Sequence, residues 1–75
     1  MPSTRVILAE DHRVVADALR VLLAEYFELV AVVHDGRALV EATERLSPDV
    51  IVTDISMPLL PVMEAGAAPV LATHL

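Results

Sequence analysis

The sequence predicts an open parallel α/β sheet, and three observations carry that prediction. Two largely apolar runs of strand length, Val6-Ile7-Leu8-Ala9 and the β-branched Val50-Ile51-Val52-Thr53, each open directly onto carboxylates, at Glu10-Asp11 and at Asp54. Between the strand-like runs lie stretches whose apolar residues recur at helical spacing. The connections are short, and strand, helix, strand, helix, strand in that arrangement implies parallel strands joined by right-handed crossovers.

The elements follow in order. Arg5 to Ala9 forms the first strand, and the acidic Glu10-Asp11-His12 turn ends it. From Val14 to Tyr26, residues Val15, Ala18, Leu19, Leu22, Leu23 and Tyr26 repeat at helical spacing, with Asp17, Arg20 and Glu25 between them. That is a one-faced helix whose apolar stripe is expected on the sheet, with Phe27 packed at the join. Leu29 to Val33 reads as a second strand in the manner of a parallel sheet interior. His34-Asp35-Gly36 makes the turn, Asp35 serving as N-cap of a helix from Arg37 to Leu46 with Leu39, Ala42 and Leu46 inward and Glu41, Glu44 and Arg45 exposed. Ser47-Pro48 ends that helix. The third strand is Val50 to Asp54, and Pro58 stops any continuation.

Two strand orders are compatible with this sequence of elements. A dinucleotide-binding half, order 3-2-1, requires a glycine-rich turn after the first strand so that the backbone approaches a pyrophosphate. Here that turn is acidic and lacks glycine, so order 2-1-3 is favoured, with strands one and three adjacent at a topological switch point. In that order Glu10, Asp11 and Asp54 converge at the carboxyl edge of the sheet, where open α/β folds bind ligands. A single strand-end aspartate would be no more than a turn or helix cap. Two acidic strand ends side by side point to a site.

The 75 residues make at most one domain, and a domain of this size buries only ~60% of the surface its unfolded chain exposes. A 56% hydrophobic composition and mean hydropathy of +0.64 suit strands buried on both faces and argue against disorder. Eleven acidic residues against five basic ones, all arginine, give a net charge of -6. No Lys/Arg cluster exists, so direct nucleic-acid binding by this segment is not expected. The absence of cysteine excludes disulfides, thiol catalysis and thiolate zinc sites. His12, His34 and His74 show no paired metal-ligand spacing and read as solvated or turn residues. Met1 to Thr4 is too short for a signal peptide, and the apolar run Leu29 to Val33 falls far below the ~18 residues of a membrane span. A cytoplasmic protein with no membrane partner is expected.

The Ile7-Leu8-Ala9-Glu10-Asp11-His12 start, the Asp35-Gly36-Arg37 turn, Pro48-Asp49-Val50 and Asp54-Ile55-Ser56-Met57-Pro58, in this order and at this spacing, resemble the receiver domain of two-component response regulators. The likeness is greatest to receivers that precede a helix-turn-helix DNA-binding output domain. It implies a partial flavodoxin-like sheet of three strands, with residues 1–58 as the N-terminal part of a receiver; the likeness is poor beyond that, and 59–75 is a divergent tail with room for a short helix and a short fourth strand. The function it implies is phosphorelay signalling, in which Asp54 takes a phosphoryl group from a sensor histidine kinase. By the same resemblance Asp11 and Asp54 are direct ligands of Mg²⁺, the Ser56 carbonyl is a third, and Glu10 holds a metal-bound water. The chemistry agrees with this, since carboxylates crowded together repel one another and Mg²⁺ takes one or two of them while leaving room for a phosphate oxygen. An acidic loop that binds nothing is the alternative.

Receivers complete their site with a Ser/Thr at the end of strand four and a lysine at the end of strand five, and this sequence contains no lysine. Pro69-Val70-Leu71-Ala72-Thr73-His74 resembles the fourth strand, with Thr73 in the position of the switch hydroxyl. Against this, 59–68 is short for a parallel crossover, and an irregular tail would leave strand three as a bare apolar edge. The expectation is therefore a truncated receiver, not itself an enzyme. Its rivals are a degenerate receiver that works by protein contacts, and a phosphohydrolase of the haloacid-dehalogenase type. The last would place a second carboxylate two residues beyond the nucleophile, where Ser56 stands.

Overall fold

Alternation along β1 (Arg5–Ala9) decides how the two helices are placed, because successive side chains of a strand face opposite sides of the sheet. The computed structural model describes residues 3–54 and 70–73, with Asp54 and 70–73 as backbone alone. After β1 come α1 (Arg13–Tyr26), β2 (Glu28–Val33), α2 (Gly36–Leu46), β3 (Val50–Asp54) and β4 (Val70–Thr73). The strands lie in the order β2-β1-β3-β4, all parallel. Order 2-1-3 is therefore as expected, and β1 sits centrally with an apolar strand on each side.

Ile7, Ala9 and Ile51 point to one face, where Leu39 and Ala42 of α2 close over them. Val6, Leu8 and Val52 point to the other, where Leu19 and Leu23 of α1 rest. The result is three layers, with one helix on each side of the sheet. The α2 layer is anchored at both ends. Asp35 caps it, its Oδ1 accepting from the Ala38 N–H at 2.7 Å, and Ser47 ends it in the left-handed region at φ 47°. β1 and β3 are tied at their amino ends by a reciprocal pair: Arg5 N–H donates to Asp49 Oδ2 at 2.8 Å, and Asp49 N–H donates to the Arg5 carbonyl at 2.8 Å.

Three expectations change. β2 is an edge strand, half-buried from Leu29 to Val33, because among the described residues it pairs with β1 alone, in a register that slips between Val6↔Leu29 and Ile7↔Ala31. The buried stripe of α1 is narrower than its periodicity suggested and is rotated towards Ala16, Leu19 and Leu23. Ala18, Leu22 and Tyr26 are exposed, and Phe27 is 41% exposed instead of sealing the join. The reason is geometric: the strands offer α1 a ridge of Val6, Leu8 and Val52, and beyond it Leu22 and Phe27 line a cleft of about 360 Å³ with Val50 and Val52. The third change concerns the edge of β3. β4 pairs with it in the register Ile51↔Val70 through Asp54↔Thr73, so the strand is not bare. The short helix expected within 59–75 lies outside the described residues.

Leu39 is fully buried at the centre of the α2 layer. Leu39→Ala is expected to destabilise the fold by about 2–5 kcal/mol and Asp35→Ala by ~1 kcal/mol, measured by urea denaturation. A Leu39→Ala cost no larger than that of the cap would contradict this core.

Candidate functional site

The site is built where β1 and β3 leave the sheet together. Their parallel register runs from Val6↔Val50 to Ala9↔Thr53, so Glu10, just after β1, and Asp54, the last residue of β3, lie at one level on the carboxyl edge. On the far side of β3, Asp54 is the register partner of Thr73. Backbone position thus gathers Glu10, Asp11, Asp54 and Thr73 at adjacent strand ends. Ser56 lies outside the described residues.

Glu10 is the buried member, 1% exposed, and a carboxylate so placed has to be hydrogen-bonded. Its Oε2 accepts from the His12 backbone N–H at 3.0 Å and lies 3.1 Å from His12 Nδ1. Its own N–H donates to the Val33 carbonyl at 2.9 Å, and its carbonyl lies 2.9 Å from His34 Nδ1. Asp11 is more open, its side chain 43% exposed, with Oδ1 3.0 Å from the same His12 nitrogen. His12 also starts the helix, its carbonyl accepting from the Ala16 N–H at 2.9 Å. The acidic pair therefore stands at the amino end of α1, where the unpaired N–H groups favour negative charge.

Donor atoms of Glu10, Asp11 and His12 all lie within 4.8 Å of one another. Two are carboxylate oxygens, the hard donors that Mg²⁺ or Ca²⁺ takes. His12 Nδ1 lies 3.1 Å from Glu10 Oε2 and 3.0 Å from Asp11 Oδ1; as a protonated nitrogen it donates a hydrogen bond there and stands where a cation would, and is not itself counted as a ligand. The donor set fits a divalent cation, and an acidic cluster is present at the sheet edge.

Sequence spacing treated the histidines as turn residues, and by chain position His12 and His34 are that. In space both wrap Glu10, one from the start of α1 and one from the turn after β2. The available signal was topological: with strands one and two adjacent, the residue ending β2 must lie beside the residue ending β1. Thr53, the residue before Asp54 on β3, is buried at 1% exposure.

A parallel 2-1-3 sheet with acidic strand ends at its switch point is the receiver-like arrangement, and the sequence agrees. Residues 6–66 match the family described as response regulator receiver domain, and the chain belongs to that family. It is 36% identical over 63 residues to the transcriptional regulatory protein DegU of Brevibacillus brevis, a match covering 81% of this chain and 27% of DegU. It is 40% identical over 60 residues to protein-glutamate methylesterase/protein-glutamine glutaminase 2 of Carboxydothermus hydrogenoformans, covering 77% of this chain and 17% of that protein. The isolated REC domain of RcsB from Salmonella enterica serovar Typhimurium, solved in the presence of the phosphomimetic BeF₃⁻, superposes with a TM-score of 0.68 at 29% identity. That match covers 88% of this chain and 47% of the RcsB domain. The chain thus spans well under half the length of the curated relatives it matches. No helix among the described residues is long and apolar enough to cross a membrane.

If Glu10 Oε2 anchors the His12 N–H, Glu10→Ala is expected to speed hydrogen exchange of the His12 amide about tenfold, the equivalent of losing roughly one hydrogen bond. NMR exchange rates measure this directly. An unchanged rate would mean that the carboxylate does not hold the loop.

Proposed function

We propose that this chain is a phosphoacceptor receiver module in which Asp54 takes a phosphoryl group from the phosphohistidine of a sensor kinase. The observation that carries this reading is the β1–β3 register, which ends at Ala9↔Thr53 and so sets Glu10, the residue after β1, level with Asp54, the last residue of β3. The RcsB domain, with its phosphoryl mimic, supports the same chemistry.

In the proposed reaction a carboxylate oxygen of Asp54 attacks phosphorus. The new O–P bond forms as the N–P bond to the donor imidazole breaks, and the departing nitrogen keeps the electron pair and is neutral once the ring holds a single proton. A receiver is a substrate-like partner in this transfer and not an independent enzyme. Asp11, Asp54 and the Ser56 carbonyl would hold Mg²⁺, with Glu10 holding a water bound to it. When bound, the cation neutralises the incoming phosphoryl oxygens and so lowers the barrier to attack by an anionic nucleophile. Glu10 anchors the loop from a buried position, and Asp11, half in solvent, faces the incoming group. Thr73, register partner of Asp54, is assigned the switch hydroxyl that meets the phosphoryl group. We assign this machinery to residues 1–58 with Thr73 added from the tail, and its setting to the cytoplasm. With a net charge of -6 and no lysine, contact with DNA is not attributed to this chain.

The test is intact mass after incubation with Mg²⁺ and acetyl phosphate. A single phosphoryl adduct is expected, absent in Asp54→Asn and on removal of Mg²⁺ with EDTA. No adduct on the wild-type chain would favour the protein-contact reading. Steady turnover of phosphomonoesters would favour a phosphohydrolase.

A further inference from the structure

His34 has no part in the chemistry above, yet it reaches Glu10, the buried acid of the proposed metal site. Its Nδ1 lies 2.9 Å from the Glu10 carbonyl. A carbonyl only accepts, so Nδ1 carries the proton, and this contact selects one of the two tautomers of the neutral ring.

The placement follows from how the β1–β2 ladder stops. Parallel pairing runs to Ala9↔Val33, and the Glu10 N–H adds one more bond, to the Val33 carbonyl at 2.9 Å. In a ladder carried one residue further, the Glu10 carbonyl would accept from the backbone N–H of Asp35. Asp35 has turned away to cap α2 through its side chain, and the His34 ring takes over the bond. Two consecutive residues, Val33 and His34, therefore hold the N–H and the C=O of Glu10.

We infer that His34 is a positioning residue: by holding the Glu10 carbonyl it sets the orientation of the Glu10–Asp11 peptide, and with it the angle at which both carboxylates meet one cation. This inference rests on the proposed Mg²⁺ site. Residues that orient metal ligands from behind typically change metal affinity 10- to 100-fold when lost. Glu10 is buried and cannot be reoriented by solvent, so the tether acts mainly on Asp11, the half-exposed member of the pair.

Two substitutions test it. His34→Leu keeps the bulk and removes the donor, whereas His34→Asn puts an amide N–H near the place of Nδ1. Mg²⁺ affinity is read from the Glu10 and Asp11 amide shifts during titration, and the wild-type tautomer from long-range proton–nitrogen spectra of the ring. The expected results are an Nδ1-protonated wild-type ring, Mg²⁺ affinity about tenfold weaker in His34→Leu, and recovery to within about threefold in His34→Asn. An Nε2-protonated ring, or wild-type affinity in His34→Leu, overturns the positioning role while leaving the proposed function standing. If His34→Leu does not fold, a His34→Asn chain that binds about tenfold more weakly than wild type overturns it as well. A wild-type chain whose amides do not respond to Mg²⁺ overturns both the metal site and the role given to His34.

Discussion

The parallel pairing of β1 with β3 is the constraint on which the rest depends. Ile7 and Ile51, at one level of that pairing, are both fully buried beneath α2, and Val6, Leu8 and Val52 of the same two strands form the ridge on which α1 rests. A slip of one residue would turn each of these side chains to the opposite face. It would also move Asp54 along the edge relative to Glu10. Burial on both faces thus sets the register, and the register sets the spacing of the acidic residues. The hydrophobic core and the candidate site are two consequences of one alignment.

Much of this was legible because the signals were local and redundant. The strand runs are apolar and β-branched, the turn at Asp35 carries its own capping side chain, and an acidic turn without glycine at Glu10-Asp11-His12 argued against a pyrophosphate site and hence for order 2-1-3. What stayed hidden depended on neighbours. Periodicity gives α1 an apolar stripe that includes Ala18, Leu22 and Tyr26, but burial goes to the residues lying over a strand, here Ala16, Leu19 and Leu23. The uniform apolarity of Leu29 to Val33 suggested an interior strand, whereas its place at the sheet edge leaves it half-buried. An edge strand and a central one of the same composition cannot be told apart without knowing what pairs with them.

The histidines show the same limit at the site. One lies two residues beyond Glu10 and the other twenty-four residues away, and neither interval is a metal-ligand spacing. Both converge on Glu10 because β1 and β2 end at the same level and the chain must turn there twice, once into α1 and once into α2. At the turn after β2 the His34 ring meets the Glu10 carbonyl, and at the turn after β1 the His12 ring and backbone N–H meet the Glu10 carboxylate. Their placement is thus a product of topology, although their residue type was plain in the sequence.

The central claim is that the acidic ends of β1 and β3 serve one cation. Paramagnetic Mn²⁺, which takes the oxygen donors that suit Mg²⁺, tests it most directly through line broadening in an amide-resolved NMR spectrum. If both acidic strand ends meet one cation, substoichiometric Mn²⁺ broadens the amides of Glu10, Asp11 and Asp54 together, ahead of those of the exposed acids Glu41 and Glu44. Broadening confined to the Glu10-Asp11 turn with Asp54 untouched, or spread evenly over the acidic surface, would contradict it.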